Sequence, residues 1–419
     1  MGEVIRVYKP GDEDRIASLL RECFDTFRNY GLDGGKWLEY PKLNEGFKLE
    51  GAYLLEVGGA LVSHMQVVEK RLRTAAGLLE TAGIANVATH PSWRGRGYAT
   101  KLLGKAMEDY RAKGFPLTAL FTGYASDPQR IYRRLGYVDV CTDRTWAAPL
   151  DDAKRAAQRA RWIEVREAEE RDLDRLISLY EAAGERYTGW PLRPRSEWVE
   201  KLLKRTAYHT VFYAERAPGN FVVAEEGGEV LGYAVTARVP WNPRELAILE
   251  LVAAPGRGDA LAALFSHAVA RAEEAGARVL RAAVPPEPPY AKLLRVFQPQ
   301  GGGGVFMSEV LSFKALALRA AERAAKRLAE PVALELAYRG EAVAVRVGGG
   351  EAGPHEGGAH ARVELDPTAF NRLLFGHCSA LELLLSSTVK SSIPLRRVLE
   401  AVEAMFEPKP LHIWPVDHW

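Results

Sequence analysis

The residues best suited to hold an anion lie between Asn86 and Thr100, in the string NVATHPSWRGRGYAT. Gly95 and Gly97 allow a ligand close to the backbone because they carry no Cβ. Arg94 and Arg96 add two guanidinium groups suited to phosphate oxygens. An apolar strand-like run enters the segment and a helical run leaves it. Its amides would therefore cluster at a helix N-terminus, where the dipole favours negative charge. The spacing is not the GxxxxGK[ST] of nucleoside-triphosphate loops. The third glycine of a dinucleotide fingerprint is missing, and no acidic residue follows at the required distance. Over these few residues alone, a glycine-rich β–α turn with two solvated arginines would read the same.

The surrounding elements are periodic. Ala99, Leu102, Leu103, Ala106, Met107 and Tyr110 fall at helical spacing before Gly114, and Leu117 to Phe121 reads as a strand. The plan then repeats. Ile5 to Val7 leads into a helix with Ile16, Leu19 and Leu20 on one face, and Ile163 to Val165 leads into Leu173, Leu176, Ile177 and Tyr180. Gly58-Gly59 and Gly227-Gly228 mark hairpins between apolar runs. Each copy continues with an apolar strand ending near a proline (Val87 to Pro91, Leu249 to Pro255) and a long helix. Two β-α-β-β-β-α copies, with a boundary near residues 150–162, account for this. In the second copy the loop shrinks to Gly256-Arg257-Gly258-Asp259, which sets a carboxylate where phosphate would sit, so this copy is expected to be structural. Past about residue 313 come an alanine-rich helix (Leu316 to Leu328), strands (Val332 to Tyr338, Ala342 to Val347, Ala361 to Leu365), a loop at Gly348 to Gly358, helical pieces (Pro367 to Phe375, Leu395 to Phe406) and an extended tail. The expected division is 1–155, 156–312 and 313–419.

Composition agrees with several folded units. The chain has 419 residues, 47% hydrophobic and 26% charged, which excludes a largely disordered protein. A net charge of +2 is too balanced for the basic face of a nucleic-acid or membrane binder. No apolar run approaches the ~18–20 residues of a membrane span. The first residues lack a signal-peptide core. Cys23, Cys141 and Cys378 form neither a disulfide framework nor a paired metal spacing. The expectation is a cytoplasmic protein with no metal and no nucleic-acid or membrane partner.

Arg94-Gly95-Arg96-Gly97-Tyr98-Ala99 resembles the Arg/Gln-x-x-Gly-x-Gly/Ala pyrophosphate loop of the GNAT N-acetyltransferases. Ile131-Tyr132-Arg133-Arg134-Leu135-Gly136-Tyr137 resembles that family's Tyr-x-x-x-Gly-aromatic segment. With a degenerate second copy and an unrelated third unit, the chain is similar to the Eis-like acetyltransferases, whose third domain resembles sterol carrier protein. The resemblance implies an α/β (α+β) fold: two tandem GNAT-type mixed-sheet domains followed by a sterol carrier protein-like α+β domain. It implies acetyl-CoA (coenzyme A) as co-substrate, held by the backbones of Val87, Ala88 and Thr89 and by Arg94, Gly95, Arg96, Gly97, Tyr98, Ala99 and Thr100. Ser126 stands where its hydroxyl could touch the coenzyme, with helix capping before Pro128 an equal reading. Tyr132 is expected to protonate the departing thiolate or else to pack beneath the coenzyme. Tyr137 reads as a core aromatic, and His64 and His90 as structural.

The family also implies a primary-amine acceptor (an aminoglycoside-like polyamine or a lysine or peptide amine), a homo-hexamer, and a catalytic base in the C-terminal carboxylate, here that of Trp419. The tail from Met405 is apolar and proline-stiffened to Trp419, whereas most chain ends are polar and frayed. Packing for stability alone remains the other reading. An α-carboxylate is a weak base for an alkylammonium, and His418 is a second candidate. Asp25 and Trp37 are aligned loosely with a cationic-amine pocket. A non-catalytic acyl-CoA or lipid sensor is the alternative function.

Overall fold

The computed structural model describes residues 2–157, 163–209 and 212–419. In the first unit β1 (Glu3–Val7) leads to α1 (Glu13–Cys23), α2 (Asp25–Tyr30) and α3 (Gly34–Leu43). β2 (Phe47–Val57), β3 (Ala60–Thr74) and β4 (Gly77–Thr89) form a meander, followed by α4 (Tyr98–Ala112), β5 (Leu117–Gly123), α5 (Asp127–Arg134), β6 (Val138–Pro149) and α6 (Leu150–Ala157). The second unit repeats the order with β7 (Glu164–Glu167), α7 (Leu173–Gly184) and a short α8 (Arg195–Glu197). A ribbon of β8 (Arg205–His209) and β9 (Phe212–Glu215) precedes β10 (Phe221–Glu226), β11 (Glu229–Val239), β12 (Asn242–Ala253), α9 (Gly258–Glu274), β13 (Val279–Ala282) and β14 (Gln298–Val310). Both paired-glycine turns adopt positive φ, 58° and 83° at Gly58-Gly59 and 60° and 85° at Gly227-Gly228, as a tight hairpin requires. The expected boundary near 150–162 falls partly on α6 and partly outside the described residues.

All the described strands of these two units but the ribbon join one mixed sheet of twelve, in the order β1-β2-β3-β4-β5-β14-β6-β13-β12-β11-β10-β7. The two halves exchange their last strands. β14 returns from the second unit to pair with β5 (Phe306 opposite Phe121), while β6 crosses to pair with β13 (Ala148 opposite Leu280). β6 and β14 also pair with each other. Neither repeat therefore holds all the strands of its own half-sheet. Local patterning gave no sign of this, because pairing is a long-range choice of edge.

The third unit contains α10 (Phe313–Ala324), β15 (Val332–Tyr338), β16 (Glu341–Val347), β17 (Gly353–Pro354), β18 (Ala361–Glu364), α11 (Pro367–Leu374), α12 (Ala380–Ser386), β19 (Thr388–Ser391) and α13 (Leu395–Met405). Its sheet runs β17-β16-β15-β18-β19. α10 ends four residues short of Leu328, and α12 and β19 were not anticipated. The unit shares a core with the first: Leu72, Leu117 and Phe306 pack in one cluster with Phe313, Leu316 and Leu334. The mixed α/β architecture expected from the sequence is the one observed.

Candidate active site

β4 and β5 run parallel and paired only from Thr81/Leu117 to Ile84/Leu120. Beyond that rung β4 continues five residues to Thr89, while β5 runs on to Gly123 with only its other edge paired, to β14. The divergence has a local cause. Between His64/Ala88 and Gln66/Ala85 the β3–β4 register shifts, so Asn86 and Val87 stand opposite the single residue Met65. Asn86 takes φ 53°, a left-handed conformation that asparagine tolerates better than most residues. This bulge turns the end of β4 away from β5. The Asn86 Nδ2 donor is buried with no partner among the described residues. A one-residue bulge leaves almost no trace in hydrophobic patterning, so sequence reasoning passed over Asn86.

The opened strand leads to the glycine loop. His90 accepts the amide of Ser92 (3.2 Å) and meets Glu22 (2.9 Å), which fixes the turn and confirms a structural histidine. Gly95 and Gly97 adopt φ 77° and 76°, and Gly97 caps α4. A Cβ at either glycine would meet no protein atom within 4 Å. The space in front of the loop is open, and the first amides of α4 have no intrahelical acceptor. Arg94 folds back to donate from Nε to the carbonyl of Thr89 (3.1 Å), and Arg96 lies 4.7 Å over the Trp93 ring. Residues 94–97 and Thr100 are exposed, Val87, Thr89 and Ala99 half-buried, and Ala88 and Tyr98 buried. The loop and helix start thus have the geometry of a phosphate cradle.

The second copy shows the contrast. Asp259 pairs with Arg257 (2.8 Å) and its own carboxylate accepts the amide of Ala260 (2.9 Å) at the start of α9. An anion supplied by the chain stands at that helix N-terminus.

Tyr132 lies on α5, 6% exposed, edge-on to Tyr137 with ring centroids 5.8 Å apart. Burial pushes its phenol above the usual 10, so it carries its proton at neutral pH. Tyr137 is a core residue whose hydroxyl meets Thr118 Oγ1 (2.8 Å). His64 is fully buried, and burial lowers its pKa to about 4. Ser126 caps α5: it donates to the carbonyl of Gly123 (2.6 Å) and accepts the amide of Gln129 (3.3 Å).

The tail reaches this site. Trp419 Nε1 donates to the carbonyl of Ala119 (3.3 Å), on the second-last paired rung of β4 and β5. Its ring lies against Gly83, where a Cβ would sit 2.6 Å from Nε1. Phe121 contacts Trp419 edge-on (5.1 Å) and stacks on His418 (4.2 Å, 17° between planes). Beside them opens a cavity of about 580 Å³ lined by Phe121, Trp146, Tyr208, Trp241, Arg281, Glu287, Phe306, His412 and His418, among others. Arg281 is paired with Glu245, whereas Glu287 Oε2 is buried without a partner among the described residues.

The two residues aligned with an amine pocket stand elsewhere. Trp37 is fully buried on α3, packed against Tyr8 and Phe47. The side chain of Asp25 is 83% exposed and pairs with Arg28 (2.7 Å), as an acidic residue in a first helical turn commonly does. Neither lines the cavity. Glu287, in a proline-rich loop of the second unit, was overlooked because that unit read as scaffolding.

Residues 4–139, which contain the splayed strands, the loop and Tyr132, match the family model described as acetyltransferase (GNAT) domain. The first unit is thus a GNAT acetyltransferase domain. Over the whole chain the fold is that of solved N-acetyltransferases. A GCN5-related N-acetyltransferase from Kribbella flavida has 21% identity and a TM-score of 0.68, with 98% of this chain and 97% of that chain covered. One from Anabaena variabilis ATCC 29413 has 16% identity and a TM-score of 0.70, with 98% and 99% covered. Eis1 from Mycobacterium abscessus has 16% identity and a TM-score of 0.61, with 99% and 100% covered. At these identities the likeness to Eis1 is one of fold. No curated protein matches the sequence. Among the described residues no helix is long and apolar enough to cross a membrane.

Proposed function

We propose that the protein is an acetyl-CoA-dependent N-acetyltransferase that acts by direct transfer on a primary amine. The observation that carries this reading is the bulged strand β4, which parts from β5 and ends at the exposed Gly95–Gly97 loop under the start of α4. The backbones of Val87, Ala88 and Thr89 line the parted strand, and the loop and the amides of residues 98–100 suit a pyrophosphate. Acetyl-CoA supplies the activated acyl group. A strand amide polarises the carbonyl as the amine forms the C–N bond and the C–S bond breaks. Tyr132, held protonated by burial, gives its proton to the leaving sulfur. The carboxylate of Trp419 or the imidazole of His418 takes the amine's surplus proton. Ser126, with both hydroxyl functions engaged as a helix cap, is left to position α5.

The 580 Å³ cavity beside Phe121 and His418 is the acceptor site in this reading. Aromatic walls and the unpaired oxygen of Glu287 suit a cationic amine, aminoglycoside-like or peptide-borne. Residues 1–155 form the catalytic domain, 156–312 a second GNAT-type domain without a coenzyme loop, and 313–419 a sterol carrier protein-like domain with the tail. The protein is cytoplasmic and forms a hexamer. The test is free-thiol production from acetyl-CoA across a panel of polyamines and peptide amines, with the intact chain and one lacking Trp419. Amine-dependent thiol release that collapses without Trp419 is expected. No release with any amine, with lipid retained through purification, would favour the sensor reading instead.

A further inference from the structure

The tail does more than rest on the first unit. Before Trp419 it is fastened along the second. The Thr188 amide donates to the carbonyl of Pro410 (2.9 Å), and the Thr188 carbonyl accepts the amide of His412 (2.9 Å). Trp414, fully buried, meets Trp190 edge-on at 5.3 Å. A Cβ at Gly189 would strike Leu411 at 2.3 Å and Ile413 at 2.8 Å. The last anchor is ionic. Asp417, 1% exposed, accepts two bonds from Arg193, from Nε (3.0 Å) and Nη2 (2.8 Å), and a third from Tyr180 OH (2.8 Å). The same guanidinium bonds both oxygens of Glu250 on β12 (3.2 and 2.7 Å), and Tyr233 OH donates to Glu250. Its face lies over Tyr180 (4.4 Å) and Trp198 (4.5 Å). Lys201, fully buried, donates to the carbonyl of Val416.

Apolar contacts alone would hold a strap in place. Burying two carboxylates on one guanidinium carries a desolvation penalty, and its return is a fixed geometry rather than strength. That geometry is set two residues before the indole that meets Ala119. In the chain order of the second unit α7 and β12 stand where α1 and β4 stand in the first; here Tyr180 of α7 bonds Asp417 directly and Glu250 of β12 holds it through Arg193.

We propose that Arg193, with Lys201, is a positioning residue for acyl transfer: it clamps Asp417 and so sets Trp419 and His418 against the parted strands of the first unit. This gives the second unit a task in the reaction although its own loop is lost. The inference rests on the functional reading above.

The test uses the full chain with Asp417→Asn, Arg193→Lys and Lys201→Met. Asp417→Asn keeps an acceptor for Tyr180 but presents an NH₂ to Arg193. The expected result is a fall in kcat of about 10²-fold for Asp417→Asn and about 10-fold for each of the other two, with KM for acetyl-CoA unchanged, as a displacement of about 1 Å at a reacting group would give. A second readout is independent of catalysis: carboxypeptidase should release Trp419 slowly from the intact chain and at least tenfold faster from Asp417→Asn. Should Asp417→Asn fail to fold, Lys201→Met answers both questions. Unchanged kcat and unchanged protection in folded variants would overturn the inference. If the variants free the tail while the chain lacking Trp419 turns over normally, the clamp stands and the catalytic role of the tail falls. If no amine is acetylated by the intact chain, the functional reading fails and protection alone decides the clamp.

Discussion

Gly83→Ala moves the tail without altering a tail residue. Gly83 lies on β4 with ordinary strand dihedrals, so alanine is tolerated by the backbone. The new methyl would lie 2.6 Å from Trp419 Nε1 and 2.8 Å from Cδ1 and Cε2, against the ~3.5–4.0 Å of a comfortable contact. The strand is locked between two neighbours, so the indole must retreat by about 1 Å. It then loses the 3.3 Å bond to Ala119, worth about 1 kcal/mol, and repacks at a cost of about 1–3 kcal/mol. A displacement of that size at a group near the reacting atoms lowers turnover by about 10²-fold. Thiol release gives kcat, and calorimetry with coenzyme A gives affinity, which should hold within about threefold. Trp419→Phe presents a smaller ring, so the double variant should recover part of the loss, with a coupling of about 0.5–3 kcal/mol. Wild-type kcat in folded Gly83→Ala would refute the reasoning, as would additive effects of the two changes.

Tyr132→Phe should lower kcat by about 10²–10⁴-fold with coenzyme affinity unchanged. Because burial raises the phenol above its usual 10, wild-type turnover should show no alkaline fall up to pH 9 from this group, which a pH–rate profile checks. Asn86→Val forces a β-branched residue to φ 53° at a strain of about 1–3 kcal/mol, so thermal melting should come several degrees lower and coenzyme binding should weaken, while Asn86→Gly keeps both. Glu309 is 5% exposed beside Tyr338 and Arg339, and burial raises its pKa from 4.5 to about 7. A raised carboxyl pKa contributes stability that is complete below pH 4.5 and lost as pH climbs through 7, on the order of 3 kcal/mol in all. Glu309→Gln should therefore melt higher than wild type at pH 8 and lose that advantage at pH 5.

The loop, the helix after it and the repeat were legible because each is a local pattern: glycines at fixed spacing, apolar residues at i, i+3 and i+4, paired glycines between apolar runs. Tyr132 was legible through its spacing from Gly136. The tail announced itself by carrying Trp414 and Trp419 where solvent would be expected. Asn86 was hidden because one extra residue in a strand alters no periodicity. For Trp37 and Asp25 the sequence gives a position near the first helices but not a direction, and these two point into the core and into solvent. Arg193, Glu250 and Asp417 were invisible as a group, since each alone is an ordinary surface residue type and only tertiary contact makes them a buried cluster. The exchange of β6 and β14 is non-local in the same way.

That exchange dictates an order of birth for the polypeptide. After β5 leaves the ribosome its outer edge has no neighbour until residues 298–310 emerge. At ~5–20 residues per second this is an interval of roughly ten to forty seconds. Through that time the nascent chain exposes an adhesive strand edge beside the nearly finished acyl-transfer cleft, so a trigger-factor-like holdase, slow codons after β6, or both would repay study as determinants of yield.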